Sequence, residues 1–335
     1  MSDVTQIVIR ELPTDNLRAD HFETRTAAMP TIEDGQLLVR TILMSLDAAN
    51  RAWMQGATYR EAVKPGDVMH TYSIGEVVES KADGFSPGDI VAGEGGWATH
   101  TVMKARAVAR ISDYRPLTHH MSLLGIAGKT AYHGLMHIGE PKAGETVVVS
   151  AAAGSVGIFV GQIAKAVGAR AVGIAGGAEK CAWLVDELGF DAAVDYKSPT
   201  FFKDLQAACP GGIDVYFDNV GGKILEAAMF LSNLKARIVC CGAVSQYDTA
   251  EMTSPKGVPG LIVVKRLKMQ GFIVMDFGDQ DAAALADLSN WYNSGQIKVV
   301  EDVLEGLDAA PAGLVGLLKG ENRGKRMVRV APDPS

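Results

Sequence analysis

The stretch from Glu145 to Lys180 constrains the fold of this chain more than any other, because it has the pattern of a strand, a turn and a helix followed by a second strand. A β-branched apolar run, Val147 to Val149, suits a strand that is covered on both faces. A turn of small residues follows, and apolar residues then recur at helical spacing from Val156 to Val167. This order predicts one unit of a parallel α/β sheet.

The turn of this unit has the spacing of a dinucleotide-binding fingerprint. Ala152, Gly154 and Gly157 occupy its three glycine positions, with alanine in the first. Glycine at the second position lets the backbone approach a pyrophosphate, and glycine at the third lets the helix pack closely on the strand. Glycines also occur at helix ends and tight turns, but here the strand, turn and helix come in the required order. The stretch therefore predicts a dinucleotide cofactor with its phosphates at the helix N-terminus.

The end of the second strand, Ala171 to Ala175, indicates which dinucleotide is bound. An NAD site places an acidic residue about 20 residues beyond the glycines to hold the ribose 2'-hydroxyl. This chain has the glycine pair 176–177 and then Lys180, which leave room for a 2'-phosphate and supply a cation to it. The pattern favours NADP(H). Alternatively, Lys180 is a solvated residue paired with Glu179 or Glu187, and Glu179 could repel a phosphate.

Composition limits the class of protein. The chain has 335 residues, enough for two domains, with 47% hydrophobic and 21% charged residues, as in ordinary globular enzymes. A net charge of -7 argues against a nucleic acid or an anionic membrane as partner. The start of the chain lacks a signal-peptide pattern, and the apolar runs are too short to span a bilayer, so we expect a cytoplasmic protein. The four cysteines include no C-x-x-C pair, which disfavours disulfides and cysteine zinc sites.

Periodicity along the chain predicts two domains. Residues 1–122 read as short strands with frequent turns and form the first part of a β-rich domain. Residues 123–300 alternate helix and strand patterns, from helical spacing over 123–137 to a sixth strand over 267–274, which predicts a doubly wound parallel sheet. Residues 301–335 end in a strand-like MVRV segment that we expect to return to the first domain. Ligands bind beyond the carboxyl ends of such strands, so position alone makes candidates of Asp218–Asn219, Gly242–Ala243 and Val274.

These features, taken with several sequence motifs in one order, resemble the medium-chain dehydrogenase/reductase superfamily. The similarity is greatest to its zinc-free branch of prostaglandin reductases, leukotriene B4 dehydrogenases and curcumin reductases, also called alkenal double-bond reductases. The motifs cover nearly the whole chain and include SLDAANR, GKTAYHGL, SAAAGSVG, AGGAEK, YFDNVGG, CGAVSQY, MQGFIV and ENRGK. The resemblance implies a GroES-like β-rich catalytic domain, a Rossmann domain and a homodimer. It also implies NADPH-dependent reduction of the C=C bond of α,β-unsaturated carbonyl compounds.

The resemblance also implies which residues contact the cofactor. The pyrophosphate contacts fall on the glycine turn, the 2'-phosphate contacts on a lysine and a tyrosine, and the rest along the nicotinamide half. In that order they are Gly154, Ser155, Val156 and Gly157; Lys180 and Tyr196; and Asn219, Cys241, Gly242, Ala243, Val244, Ser245, Gln246, Tyr247, Phe272, Ile273, Val274 and Asn322. Tyr196 could instead be a packing residue at a strand end, and Asn219 could be a turn former.

The chain departs from the zinc-dependent members of the superfamily. Where a Gly-His-Glu zinc motif would stand it has Thr71-Tyr72-Ser73, and it lacks a four-cysteine lobe. The adjacent His119 and His120 have no accompanying spacing of metal ligands, so we interpret them as surface or helix-start residues. We therefore expect no metal site.

The remaining chemistry is hydride transfer to the β-carbon of an enone. Negative charge then develops on the carbonyl oxygen, which needs a hydrogen-bond donor, and the α-carbon needs a proton. Tyr247 matches the tyrosine that the family credits with these roles, since a neutral phenol can donate to an enolate. The 2'-hydroxyl of the nicotinamide ribose is an equally plausible donor, and Tyr247 could simply close the pocket or hold the cofactor.

Departures from the branch affect the substrate pocket. Ala48, Ala49 and Asn50 replace the usual residues before Arg51, and His100 and Val264 stand where relatives carry tyrosines. Arg51 could bind a substrate carboxylate, although a structural ion pair is at least as consistent with the sequence. Two rival functions stay open at this point. One is NADPH:quinone oxidoreduction on the same fold, and the other is non-catalytic NADPH binding.

Overall fold

The computed structural model describes residues 3–111, 116–249 and 255–334 of a chain that forms two compact units. The first unit comprises Met1–Met121, Glu301–Glu321 and Arg326–Ser335, and the second comprises Ser122–Val300 and Asn322–Lys325. The strands are β1 (Asp3–Ile9), β2 (Phe22–Ala28), β3 (Gln36–Ser45), β4 (His70–Ser80), β5 (Ile90–Gly96), β6 (His100–Lys104), β7 (Ala109–Arg110), β8 (Thr146–Ser150), β9 (Arg170–Ala175), β10 (Ala192–Asp195), β11 (Ile213–Asp218), β12 (Ser232–Cys240), β13 (Lys268–Gly271), β14 (Glu301–Glu305) and β15 (Lys325–Arg329). The α-helices are α1 (Ala48–Gln55), α2 (Ile126–His133), α3 (Gly157–Ala166), α4 (Ala178–Asp186), α5 (Phe201–Ala208), α6 (Gly222–Leu231), α7 (Val258–Lys265), α8 (Asp281–Asn293) and α9 (Ala310–Leu318).

The first unit is built on antiparallel sheets. β1 pairs with β2, and a seven-stranded sheet has the order β14-β15-β3-β4-β5-β7, with β6 also paired to β3. β3 is buried along most of its length, since β4, β6 and β15 all pair with it in antiparallel register. Met44 of β3 and Leu314 of α9 belong to the same buried apolar cluster. This is the β-rich half that the short strand patterns predict.

The second unit is a doubly wound sheet. Its six strands have the order β10-β9-β8-β11-β12-β13, and every neighbouring pair is parallel. β8 is buried at all five residues because strands pair with it on both sides and helices cover both faces. α3 is likewise buried from Gly157 to Ala164, and Ile158, Phe159 and Ile163 belong to this core. The predicted fold class, a β-rich domain with a Rossmann sheet, is confirmed.

Two predicted element boundaries were wrong. The sixth strand was predicted over residues 267–274, but β13 ends at Gly271 because the chain turns into a short 3-10 helix, Val274–Gln280. The helical pattern over residues 123–137 is not one helix either, since α2 ends at His133 and continues as a π-helical segment, Gly134–Gly139. Apolar spacing predicts the type of an element better than its ends.

None of the helices in the described part of the chain is long and apolar enough to cross a membrane.

Candidate functional site

The turn between β8 and α3 is shaped by contacts that exclude side chains. A Cβ atom on Gly157 would lie 2.3 Å from the carbonyl oxygen of Ala151, and one on Gly154 would lie 3.2 Å from the same oxygen. Ala151 itself has a left-handed φ of 48°, which makes the turn sharp. Residues 154–157 therefore lead directly into the first turn of α3, where free backbone amides attract anions.

The segment 322–325 of the second unit lies against this turn. The amide of Gly324 donates to the carbonyl oxygen of Ala153 at 2.9 Å, and the side chain of Asn322 donates to the carbonyl oxygen of Gly324 at 2.8 Å. Lys180 Nζ donates to the carbonyl oxygen of Asn322 at 2.5 Å. Three of the predicted cofactor regions, the glycine turn, Lys180 and Asn322, are thus joined by hydrogen bonds.

The carboxyl ends of β9 and β10 lie side by side. β9 is followed by Gly176 and Gly177, and a Cβ on Gly176 would lie 3.0 Å from the ring of Tyr196. Tyr196 itself is 44% exposed. Asp195 Oδ1 accepts hydrogen bonds from the amides of Gly177 and Lys197, at 2.8 and 2.9 Å, and these bonds lower the pKa of its carboxyl. Asp195, the acid that ends β10, is therefore committed to holding the glycine turn.

The first turn of α4 carries opposite charges. Glu179 forms an ion pair with Arg323, whose guanidinium also lies 5.6 Å from the ring centre of Trp183. Lys180, the next residue, donates to Asn322 as described above. Neither Arg323 nor its pairing with Glu179 was identified from the sequence, because the two residues lie 144 positions apart.

Asp218, at the end of β11, organises the next part of the site. Its buried carboxylate accepts hydrogen bonds from the hydroxyl of Tyr216 at 2.9 Å, the hydroxyl of Ser150 at 3.3 Å and the amides of Val220 and Gly221. Burial raises the pKa of this carboxyl, and the hydrogen bonds oppose that shift. The arrangement fixes the loop that follows β11. The position of Asp218 at a strand end predicts a site residue, whereas nothing in the sequence distinguishes Ser150, which also ends its strand.

Asn219 is held at the junction of β8 and β11. Its amide donates to Ser150 Oγ at 2.9 Å, and its Nδ2 donates to the carbonyl oxygen of Ser150 at 2.8 Å. This bond uses one of the two Nδ2 protons, so the Oδ1 atom and the second proton can both take part in hydrogen bonds to a ligand.

The loop from Cys241 to Tyr247 is bonded to the loop after β11. The amides of Cys241 and Gly242 donate to the carbonyl oxygen of Asp218, at 2.9 and 3.1 Å, and Ser245 Oγ donates to the carbonyl oxygen of Val220 at 2.6 Å. The hydroxyl of Tyr247 folds back and accepts the amide of Ala243 at 3.1 Å. Burial raises the pKa of the Cys241 thiol to about 12, so it stays neutral at physiological pH.

A cavity of about 630 Å³ opens at the carboxyl ends of β11, β12 and β13. Its lining includes Asp218 and seven of the predicted cofactor residues, which are Cys241, Gly242, Ala243, Gln246, Tyr247, Phe272 and Ile273. Asn219, Val244, Ser245 and Val274 adjoin these residues in sequence but are not part of the described lining.

Phe272 is positioned by aromatic packing. Its ring lies 6.3 Å from that of Phe217 in an edge arrangement, and a Cβ on Gly134 would lie 2.6 Å from it. Phe277 stacks on the ring of the fully buried His133 at 4.9 Å. His133 also bonds Asp281 at 3.0 Å, so α2 anchors the whole segment that follows β13.

Arg51 lies in α1 of the first unit and is buried. Its Nη2 donates to the carbonyl oxygen of Asp15 at 2.9 Å, a contact that serves the fold of that unit. The substrate contact considered for Arg51 stays a prediction.

Residues 71–73, which stand in the place of a Gly-His-Glu motif, lie in β4 and make ordinary strand contacts. Thr71 Oγ1 donates to the carbonyl oxygen of Ser45 at 2.6 Å. His119, interpreted as a surface or helix-start residue, lies in the short helix Leu117–His120 but is buried, and burial lowers its pKa. Across residues 3–111, 116–249 and 255–334, no group of three or more His, Cys, Asp and Glu side chains could hold a metal ion.

Comparison with known proteins finds two matching domain families. Residues 5–111 match the family described as the N-terminal domain of oxidoreductase, and residues 155–291 match the family described as zinc-binding dehydrogenase.

Individual relatives match over nearly the whole chain. The NADPH-dependent curcumin reductase of Escherichia coli is 40% identical over 94% of this chain and 93% of its own. The 2-alkenal reductase (NADP(+)-dependent) of Nicotiana tabacum is 36% identical over 97% of both chains. The crystal structure of CurA from Vibrio vulnificus in complex with NADPH matches with a TM-score of 0.93 at 36% identity, over 98% of this chain and 100% of that one.

Proposed function

The chain belongs to the NADP-dependent curcumin and 2-alkenal reductase group of the medium-chain dehydrogenases, and from this we propose that it reduces the C=C bond of α,β-unsaturated carbonyl compounds. It is an NADPH-dependent oxidoreductase. The reduction of enones and enals is our proposal for its substrate class, supported by the chemistry of the cavity.

The residues present fit NADPH. Close backbone contacts at Gly154 and Gly157 leave little room for a side chain at these two positions, and the amides at the start of α3 would hold the pyrophosphate. The glycine pair after β9, with Lys180 and Tyr196, would hold the 2'-phosphate. The nicotinamide half would be held by the side chains of Asn219 and Asn322 and by the loops 241–247 and 272–274.

The position of the Tyr247 hydroxyl in the cavity is the observation that best supports the proposed reaction. NADPH, when bound, supplies the hydride that reduces the β-carbon. Tyr247 Oη accepts the amide of Ala243 at 3.1 Å and lies in the lining of the cavity. Accepting one hydrogen bond polarises a hydroxyl and makes its own proton a better donor. The phenol is therefore suited to donate to the carbonyl oxygen, where charge develops, and Phe272 and Ile273 add apolar surface to the same cavity.

The proposal is tested by NADPH consumption with a panel of short alkenals, aryl enones and quinones, with NADH alongside and mass analysis of each product. We expect a saturated carbonyl product that has gained two hydrogens, with NADPH preferred. Turnover of quinones alone would contradict the proposal and favour quinone oxidoreduction. Tight NADPH binding without turnover of any compound would favour a binding protein.

We propose further that the protein is a cytoplasmic homodimer. β13 is an edge strand whose four residues are all exposed, and the neighbouring Val263 and Val264 are 72% and 68% exposed. An exposed edge strand beside apolar side chains suits pairing with the same strand of a second copy. The cytoplasmic location is supported by the four cysteines, which are all free thiols.

A further inference from the structure

A carboxylate lies next to the proposed 2'-phosphate site, where its negative charge is unfavourable. Glu179 sits in the first turn of α4, directly before Lys180, which we propose as the cation for the 2'-phosphate. A phosphate monoester carries close to two negative charges, so an unpaired carboxylate beside it would weaken binding. A helix N-terminus favours a carboxylate for its own stability, but this does not remove the repulsion.

The fold supplies a partner for this carboxylate. Arg323 forms an ion pair with Glu179, and its guanidinium lies 5.6 Å from the ring centre of Trp183. The side chain of Glu179 is 87% exposed, and an ion pair so exposed adds little to folding stability. Its main effect is therefore on the local charge.

Arg323 is held in this place by the backbone. It follows Asn322, whose carbonyl oxygen accepts Lys180 Nζ at 2.5 Å, and it precedes Gly324, whose amide donates to Ala153 at 2.9 Å. Lys180 thus belongs to the first turn of α4 and donates to Asn322, and Arg323 reaches the same turn through its ion pair with Glu179. The ion pair with Arg323 thus neutralises the carboxylate next to Lys180 in this turn.

We propose that Arg323 is a specificity-determining residue for the 2'-phosphate and that it acts by neutralising Glu179. The inference rests on the proposed function only in placing the 2'-phosphate of NADPH at this turn. It assigns a role to a residue outside the glycine turn and outside the set predicted from sequence.

The test measures the dissociation constant of adenosine 2',5'-bisphosphate by isothermal titration calorimetry, with NADH as the ligand that lacks the 2'-phosphate. We expect Arg323→Ala to weaken the bisphosphate about five- to tenfold at low salt, by the Coulomb energy of the exposed carboxylate, and to leave NADH within twofold. The double variant Glu179→Gln, Arg323→Ala should bind the bisphosphate as the wild type does. Lys180→Ala is the positive control, and Arg106→Ala removes an exposed arginine of the first unit as the matched control.

Equal affinities of wild type and Arg323→Ala for the bisphosphate would overturn the proposal. So would a double variant that stays as weak as Arg323→Ala, because Arg323 would then act without Glu179. Equal weakening of NADH would show a general loss of structure instead of a charge effect. Failure of the proposed enone reduction is separate, since it would leave these binding constants unchanged.

Discussion

At the scale of single residues, the position of Tyr247 depends on its own loop. The hydroxyl accepts a hydrogen bond from the amide of Ala243, four residues earlier, so the loop itself helps to orient the ring. A Cβ on Gly242 would lie 3.5 Å from the same hydroxyl, in ordinary contact. The loop therefore closes around the phenol, and the sequence CGAVSQY contains most of the information needed to predict it.

Tyr247→Phe tests whether the phenol donates a proton. We expect kcat for an enone to fall about 10²- to 10⁴-fold, the usual contribution of a positioned acid or base, while the dissociation constant of NADPH stays within threefold. Steady-state kinetics and a fluorescence titration of NADPH measure the two quantities. A loss of kcat below about fivefold would show that another group, such as the cofactor ribose, is the donor.

At the scale of elements, helix packing on the parallel sheet depends on small residues. α3 approaches the core so closely that a Cβ on Gly161 would lie 1.9 Å from the ring of Phe190. The glycine pattern SAAAGSVG predicts the close approach at the turn, but the contact with Phe190 was not predicted because that residue follows α4.

Gly161→Ala should lower the free energy of unfolding by about 1–3 kcal/mol, because Phe190 must leave its packed position. Chemical denaturation followed by circular dichroism measures the change. Gly260→Ala in α7 is the matched control, since a Cβ there meets no atom within 4 Å, and it should be neutral or stabilise by about 0.4–1 kcal/mol. Equal effects of both substitutions would show that the clash with Phe190 is relieved without cost.

Element boundaries were less predictable than element types. The apolar pattern over residues 267–274 does not distinguish a strand from the turn that follows, and β13 ends at Gly271 because Phe272 packs against Gly134 instead of continuing the sheet. Similarly, the helical spacing over residues 123–137 cannot show that the backbone hydrogen bonds change from the α-helical to the π-helical pattern after His133. Both outcomes depend on contacts between elements.

At the scale of the whole molecule, the proposed homodimer gives a mass that can be measured. One chain is 35.5 kDa, so size-exclusion chromatography with light scattering should report twice that mass for the wild type. Val264→Asp introduces a charge beside β13 and should shift the protein toward monomer, because burying an unpaired charge in an interface is costly. Phe202→Asp is the control, since Phe202 is a 44% exposed apolar residue on α5. A wild-type mass of one chain would exclude the dimer.

Local pattern and tertiary contact determine different properties of this protein. The sequence alone indicates the alternating elements of the second unit, the glycine turn and the glycine pair after β9, because each depends on the periodicity or conformational freedom of neighbouring residues. Only the tertiary structure shows that Ser150 bonds Asp218 and that Glu179 meets Arg323, across 68 and 144 positions of the chain. Charges and hydrogen-bond donors carry no periodic signal, so their pairing is decided by where the fold brings distant segments together.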